Sequence, residues 1–249
     1  MPLDTGYIRK KLTPAPIRAW LRLRNDRKTA REFSGLSVKQ TFEKIYAEGW
    51  WGHYRAERLE FDSGKSSHLS YFLEAYIHAI QAVKSSNPEI ETVLDLGCGD
   101  FNVGRQIAPQ FSTYAGVDIV KSLIDRNQAL YGRDSTAFLC CDITKDKLPD
   151  ADLILIIQVL QHLSNDDILA FLKNIQGKYR HLIITETLHK SWRFTPNKDI
   201  PAGPGVRFHK KSGVVLDKPP FNLKHTEKRI LCEPRLGREF VTTLYYRLE

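Results

Sequence analysis

Apolar and polar positions in this chain follow two periods. Leu69, Phe72, Leu73, Tyr76, Ile77, Ile80 and Val83 recur at i, i+3, i+4, i+7 spacing and predict an amphipathic helix. Ile168, Leu169, Phe171, Leu172 and Ile175 predict a second helix over 166–176, with Ser164 and Asn165 as cap candidates. Short apolar runs predict strands at 93–96, 114–118, 137–142, 152–158 and 181–186. The fourth of these is almost continuously apolar, as in a strand buried on both faces of a parallel sheet. Two more segments of strand character, 224–232 and 239–248, follow without a long helix between them. Five strand–helix units and a closing strand pair define an α/β class: a doubly wound seven-stranded sheet, mostly parallel with one antiparallel edge strand.

The ends of the strands carry the chemistry. The first strand runs into Asp95-Leu96-Gly97-Cys98-Gly99-Asp100-Phe101-Asn102. Glycines at such a turn let backbone approach a nucleotide-like ligand, and a following helix offers unpaired N–H groups. The dinucleotide fingerprint G-x-G-x-x-G requires glycine where this chain has Asn102; Gly104 comes two residues late. The second strand ends in Asp118, 19 residues after Gly99, where a carboxylate can accept from both ribose hydroxyls. The third ends in Cys140-Cys141-Asp142. A single strand-end acid can simply cap a helix or face solvent. Three acids on consecutive strands after a glycine turn point to a ligand.

The Asp-x-Gly-x-Gly pattern of Asp95, Gly97 and Gly99 resembles motif I of the class I S-adenosylmethionine-dependent methyltransferases, which carry a third glycine at the place of Phe101. The resemblance covers residues 68–249. It implies a Rossmann-like fold and S-adenosyl-L-methionine as cofactor. It further implies Asp95, Gly97, Cys98 and Gly99 at the cofactor turn, and Asp118 with Ile119 at the ribose. Asp142 and the Ile143 backbone would read the adenine, with Gln158 at the end of the fourth strand. The stretch Gln158-Val159-Leu160-Gln161-His162-Leu163 resembles the motif IV region of small-molecule methyltransferases, which often has a histidine just past the strand. His162 is therefore the first candidate for a catalytic base, with His189 and His209 second; a core or helix-capping histidine is the alternative. The order Phe42-x-x-Ile45-Tyr46, Trp51-Gly52, Ser63-Gly64 and Cys98-Gly99-Asp100-Phe101-Asn102 resembles a bacterial methyltransferase group linked to cell-surface polysaccharide and other glycan pathways.

Charge divides the chain. Residues 1–31 hold nine Lys/Arg against two acids, while the remainder has 28 basic and 27 acidic side chains. A nearly neutral body argues against nucleic acid as a partner. The organisation that follows is a basic arm (1–35), an entrance or lid segment (36–67) containing Trp50 and Trp51, and a catalytic domain (68–249). Within that domain, residues 189–222 form an aperiodic Pro- and Gly-rich loop over the acceptor, bearing His189, Trp192, Arg193, Asp199, Arg207 and His209. Ile17, Trp20 and Leu21 on one helical face, flanked by arginines, can give residues 1–31 peripheral contact with an anionic membrane. The same segment also reads as a solvated arm. No bilayer-length apolar run or signal peptide is visible, and Cys98, Cys140, Cys141 and Cys232 show no disulfide framework. These features predict a cytoplasmic enzyme, with the arm able to reach the inner membrane surface.

The acceptor is read by exclusion. Base N-methylating enzymes carry Asn/Asp-Pro-Pro-aromatic where this chain has Gln158-Val159-Leu160-Gln161, so O-methylation of a small molecule or a sugar unit of a glycan or glycolipid is expected. Natural-product or quinone methylation, a non-catalytic cofactor-binding module and an NAD-dependent oxidoreductase stand as alternatives. His162, Asp199 and His209 lack ligand spacing, so no metal is expected.

Overall fold

A computed structural model describes residues 14–51, 61–64, 68–236 and 239–249. The chain forms two compact units that divide after Ser37. The first contains α1 (Ala15–Glu32), started by a proline in its first turn. On this helix Ile17 and Trp20 are exposed, and the Arg24 guanidinium lies 5.7 Å from the Trp20 ring centroid. Residues 1–13 of the expected basic arm lie outside the described residues.

The second unit, from Val38 onward, contains α2 (Val38–Ala47), α3 (Ser70–Ser86), β1 (Thr92–Leu96), α4 (Gly104–Ile107), β2 (Thr113–Asp118), α5 (Lys121–Tyr131), β3 (Thr136–Cys140), β4 (Leu153–Ile157), α6 (Asn165–Ile175), β5 (His181–Leu188), β6 (His225–Cys232), β7 (Arg235–Leu236) and β8 (Glu239–Leu248). The sheet runs β3-β2-β1-β4-β5-β8-β6, with the two-residue β7 paired to β8. Strands β1 to β5 are parallel, and β8 is antiparallel to both β5 and β6.

The antiparallel strand expected at the edge is β8, seated one place inside the outermost strand β6. Side-chain chemistry explains the order. Val241, Thr242, Thr243, Leu244, Tyr245 and Tyr246 are all buried, so β8 needs cover on both faces. Strand β6 carries Glu227, Lys228 and Arg229 and is largely exposed. Such charges suit an edge that must not pair with another chain.

Helical faces follow the stripes. On α3, Phe72, Tyr76, Ile80 and Val83 are buried in one cluster with Val93, Phe101 and Tyr114. On α6, Ser164 accepts from the Asp167 N–H while Asp167 accepts from the Ser164 N–H, a reciprocal cap of about 1 kcal/mol. Ile168, Phe171, Leu172 and Ile175 are buried, each contributing about 1.5–3 kcal/mol, whereas Leu169 is exposed at the margin of its stripe. Asn165 is not the cap: its amide donates to the Asn197 carbonyl. The strand order turns back at β1, between β2 and β4. A crevice at the carboxyl ends of such strands is where this architecture receives ligands.

Candidate active site

The turn after β1 is built for close approach. Gly97 and Gly99 have φ of 78° and 55°, the left-handed region that glycine enters without cost. The N–H groups of Gly97 and Cys98 both donate to the Val117 carbonyl, at 2.7 and 2.9 Å, tying the turn to β2. A Cβ on Gly97 would stand 2.3 Å from a Val159 methyl, and one on Gly99 would stand 2.3 Å from Ser63 Oγ. Phe101, at the place of the family's third glycine, keeps the left-handed conformation (φ 63°). Its ring is buried against Tyr114, Tyr131 and Phe138, with centroids 5.7, 5.3 and 4.8 Å away. Left-handed backbone costs a non-glycine residue about 1–2 kcal/mol, which a buried phenyl ring offsets.

Three strand-end acids surround the turn, in different environments. Asp118 accepts from the Gly99 N–H (3.2 Å) and the Val120 N–H (3.1 Å), and burial pushes its pKa up to about 6. Asp95 accepts from the Tyr114 hydroxyl at 2.7 Å through Oδ2, while its buried Oδ1 has no hydrogen-bond partner. Burial pushes the Asp95 pKa up to about 7. Asp142 is pulled upward by burial, but the Thr144 hydroxyl and N–H and the Lys145 ammonium outweigh this and hold it below its ordinary value. Its Oδ1 is taken by Thr144; its Oδ2 lies 3.1 Å from the exposed Lys145.

One cavity of about 270 Å³ brings these groups together. Asp95, Gly97, Cys98, Gly99, Asp118, Ile119, Asp142, Ile143, Gln158 and His162 all line it. The entrance segment contributes Phe42, Tyr46, Trp51 and Ser63, and the loop after β5 contributes Pro204 and Val206. Residues 52–60 and 65–67 of that entrance segment lie outside the described residues. With Asp100, four carboxylates face the cavity, and no Lys or Arg is among its described lining residues. Such a wall suits a cation and opposes a pyrophosphate.

His162 sits in a 3-10 turn just past β4, buried, with its ring 5.0 Å from that of Trp51. Its Nδ1 lies 3.1 Å from the Gly205 carbonyl oxygen, so Nδ1 carries the proton and Nε2 is the acceptor, with the Gln161 side-chain amide nitrogen 3.4 Å away. Burial lowers its pKa to about 4, which keeps the ring neutral near pH 7. The two other histidine candidates fall elsewhere. His189 and His209 flank the Phe208 ring, at 4.8 and 5.9 Å, and neither lines the cavity; His209 is exposed. A base must reach the reacting hydroxyl, so these positions remove both from that role.

Arg207 departs from its expected place as an acceptor-facing cation. It is 1% exposed and donates to the carbonyls of Lys198, Leu160 and Leu163 and to Asn165 Oδ1. Asp199 likewise caps the chain, accepting from the Asn165 N–H. Arg207 thus fixes the 160–163 turn that presents His162. Beneath it lies Glu186, 2% exposed, whose pKa burial pushes up to about 8 against the nearby Arg207 charge. Sequence reading missed Glu186, although an acid inside the apolar run 181–186 was the available signal.

Comparison with known proteins agrees with this geometry. Residues 94–180 match a family model described as a methyltransferase domain. Among solved structures, the magnesium protoporphyrin IX methyltransferase ChlM of Synechocystis PCC 6803 with bound S-adenosylhomocysteine is 13% identical, with a TM-score of 0.55 over 86% of this chain and 100% of that one. The N-methyltransferase NodS of Bradyrhizobium japonicum WM9 is 16% identical, with a TM-score of 0.53 over 73% and 90%. The N-terminal domain of EvdMO1, crystallised with S-adenosylhomocysteine and D-fucose present, is 14% identical, with a TM-score of 0.52 over 87% and 99%. No curated protein sequence matches the chain. The fold is that of the Rossmann-like methyltransferases. Residues 94–180, from β1 to the start of β5, thus carry both the match to a methyltransferase domain and the glycine turn with its strand-end acids. Among the described residues, no helix is long and apolar enough to cross a membrane.

Proposed function

We propose that this protein is a class I S-adenosylmethionine-dependent methyltransferase that methylates a hydroxyl of a small molecule or of a sugar unit in a glycan or glycolipid, with His162 as the general base. The observation that carries the reading is a neutral imidazole on the cavity wall, Nδ1 directed to the Gly205 carbonyl and Nε2 the acceptor nitrogen, 3.4 Å from the Gln161 amide nitrogen, which also lines the cavity. An amine that reacts as its free base does not require such a group, whereas a hydroxyl must lose its proton as the new bond forms. The EvdMO1 domain, crystallised with a sugar and S-adenosylhomocysteine, supports a sugar acceptor.

The cavity fits the cofactor through two features of its own: the bare, left-handed backbone of Gly97 and Gly99 on its wall, and the orphaned Asp95 Oδ1 beside it. When bound, S-adenosylmethionine supplies a methyl group made electrophilic by a cationic sulfur. Asp118 would accept from the ribose hydroxyls. Asp142 and the Ile143 backbone would read the adenine, while Cys98, Ile119 and Gln158 line the pocket around them. The carboxylates on this wall, with no Lys or Arg among its described lining residues, favour the positive charges of this cofactor. His162 Nε2 takes the acceptor proton, and Trp51 and Leu163 exclude water from the reacting atoms. Helix α1, with exposed Ile17 and Trp20 among arginines, would bring the enzyme to an anionic membrane surface where a lipid-linked acceptor is presented. His162→Ala tests the base: methyl transfer to hydroxyl acceptors should fall while S-adenosylhomocysteine affinity stays unchanged. Equal transfer rates would refute the assignment.

A further inference from the structure

We infer that Asp62, His68 and Asp100 form a binding site for a first-row divalent transition cation at the wall of the cofactor cavity. The fold brings together two segments far apart in sequence: the end of the entrance segment and the acid that follows Gly99. His68 Nε2 lies 3.0 Å from Asp100 Oδ2 and 3.7 Å from Asp62 Oδ1, and the three ligand atoms all lie within 4.8 Å of one another. With bonds of about 2.1 Å, adjacent ligands of one ion stand about 3–3.5 Å apart, so these atoms can share an ion with little movement.

A second observation separates this cluster from a surface group of acids. The His68 side chain is only 8% exposed; its Nε2 faces the Asp100 and Asp62 carboxylates, and its buried Nδ1 has no hydrogen-bond partner among the described residues. A buried imidazole whose only polar neighbours among those residues are two carboxylates is placed as in a ligand set, with one ring nitrogen lacking the partner that buried polar groups normally have. The two carboxylates beside it are held by backbone: Asp62 Oδ1 accepts from the Gly64 N–H at 2.8 Å, and Asp100 Oδ1 accepts from the Asn102 N–H at 3.0 Å. These contacts, with the Ser63 N–H donating to Asp100 Oδ2 at 3.4 Å, orient the acids toward His68. One imidazole with two carboxylates suits Mn²⁺, Fe²⁺ or Zn²⁺ better than Mg²⁺ or Ca²⁺, which prefer all-oxygen shells.

The consequence is positional. Ser63 Oγ accepts from the Asp100 N–H at 2.7 Å, and both residues line the cavity. An ion on Asp62 and Asp100 would clamp the entrance segment onto the glycine turn, so cation and cofactor would bind cooperatively, each raising the affinity of the other by the same factor.

The test is titration of the full-length, chelator-treated protein with Mn²⁺, followed by electron paramagnetic resonance of the free ion. The expected result is one Mn²⁺ per chain, weakened more than about 10-fold by His68→Ala and by Asp62→Asn. Asp62→Asn keeps an acceptor for Gly64 and guards against a folding defect, which circular dichroism of the metal-free variants would reveal. Absence of binding to the wild-type protein, or equal binding by folded His68→Ala, overturns the site.

Discussion

His162 Nδ1 and the Gly205 carbonyl oxygen, 3.1 Å apart, join the turn after β4 to the loop after β5. This contact fixes the tautomer of the ring and so decides which nitrogen faces the cavity. With Nε2 as the base, His162→Ala should lower kcat by about 10²–10⁴-fold with little change in cofactor Kd. The pH profile carries a second signature. Because burial holds the ring near a pKa of about 4, the acidic limb that His162 imposes on the rate should fall well below that of an ordinary histidine base. Rates measured from pH 4 to 8 with a hydroxyl acceptor check this; an inflection near pH 6.5 attributable to His162 would contradict it.

Cofactor affinity should weaken as pH falls. Asp95 and Asp118 titrate near 7 and 6, so the two carboxylates take up protons between pH 8 and 5 and lose their charge toward a cationic ligand. Calorimetry across that range should show a rising Kd for S-adenosylmethionine, with a shallower rise in Asp118→Asn. A pH-independent Kd would show that neither carboxylate meets the ligand.

Phe101 offers a test of backbone against packing. Removing its ring should cost about 3–5 kcal/mol. At φ 63°, however, glycine is the better replacement, so Phe101→Gly should be at least as stable as Phe101→Ala. Denaturant melts of the two variants decide the point. A clear advantage for alanine would mean that the turn relaxes out of the left-handed region once the ring is gone.

Glu186 should make the protein sensitive to alkali. Its folded pKa of about 8 lies above the ordinary 4.5, so its contribution to stability is complete below pH 4.5 and is lost as pH rises through 8. Glu186→Gln removes that loss. Its melting temperature should match the wild type near pH 5 and exceed it at pH 8.5, by about 4–8 °C if about 2 kcal/mol is recovered. A variant less stable at pH 8.5 would mean that Glu186 is ionised and held by Arg207.

What the sequence made legible follows from the range of the interactions involved. The stripes of α3 and α6 and the acids ending β1, β2 and β3 are local patterns, and each could be read from neighbours a few residues apart. Phe101 reads as a departure from the glycine pattern because its compensation lies in three rings from other elements. Arg207 reads as a loop cation facing the acceptor; only the fold shows that its guanidinium is consumed by carbonyls of the 160–163 turn. His162 stands out by its place just past the fourth strand, whereas nothing local fixes where His189 and His209 fall, because the path of residues 189–222 is set by tertiary contacts such as Asn197 with Val215 and Lys218. The position of β8 inside β6 likewise depends on which strand needs cover on both faces.

The most direct test of the account is calorimetric titration of the purified protein with S-adenosylmethionine, S-adenosylhomocysteine and NAD, with Asp118→Asn as control. The account predicts binding of the first two, weakened on the order of 100-fold in the variant through loss of charge-assisted hydrogen bonds, and no binding of NAD. Binding of NAD alone, or cofactor affinity indifferent to Asp118, would contradict it.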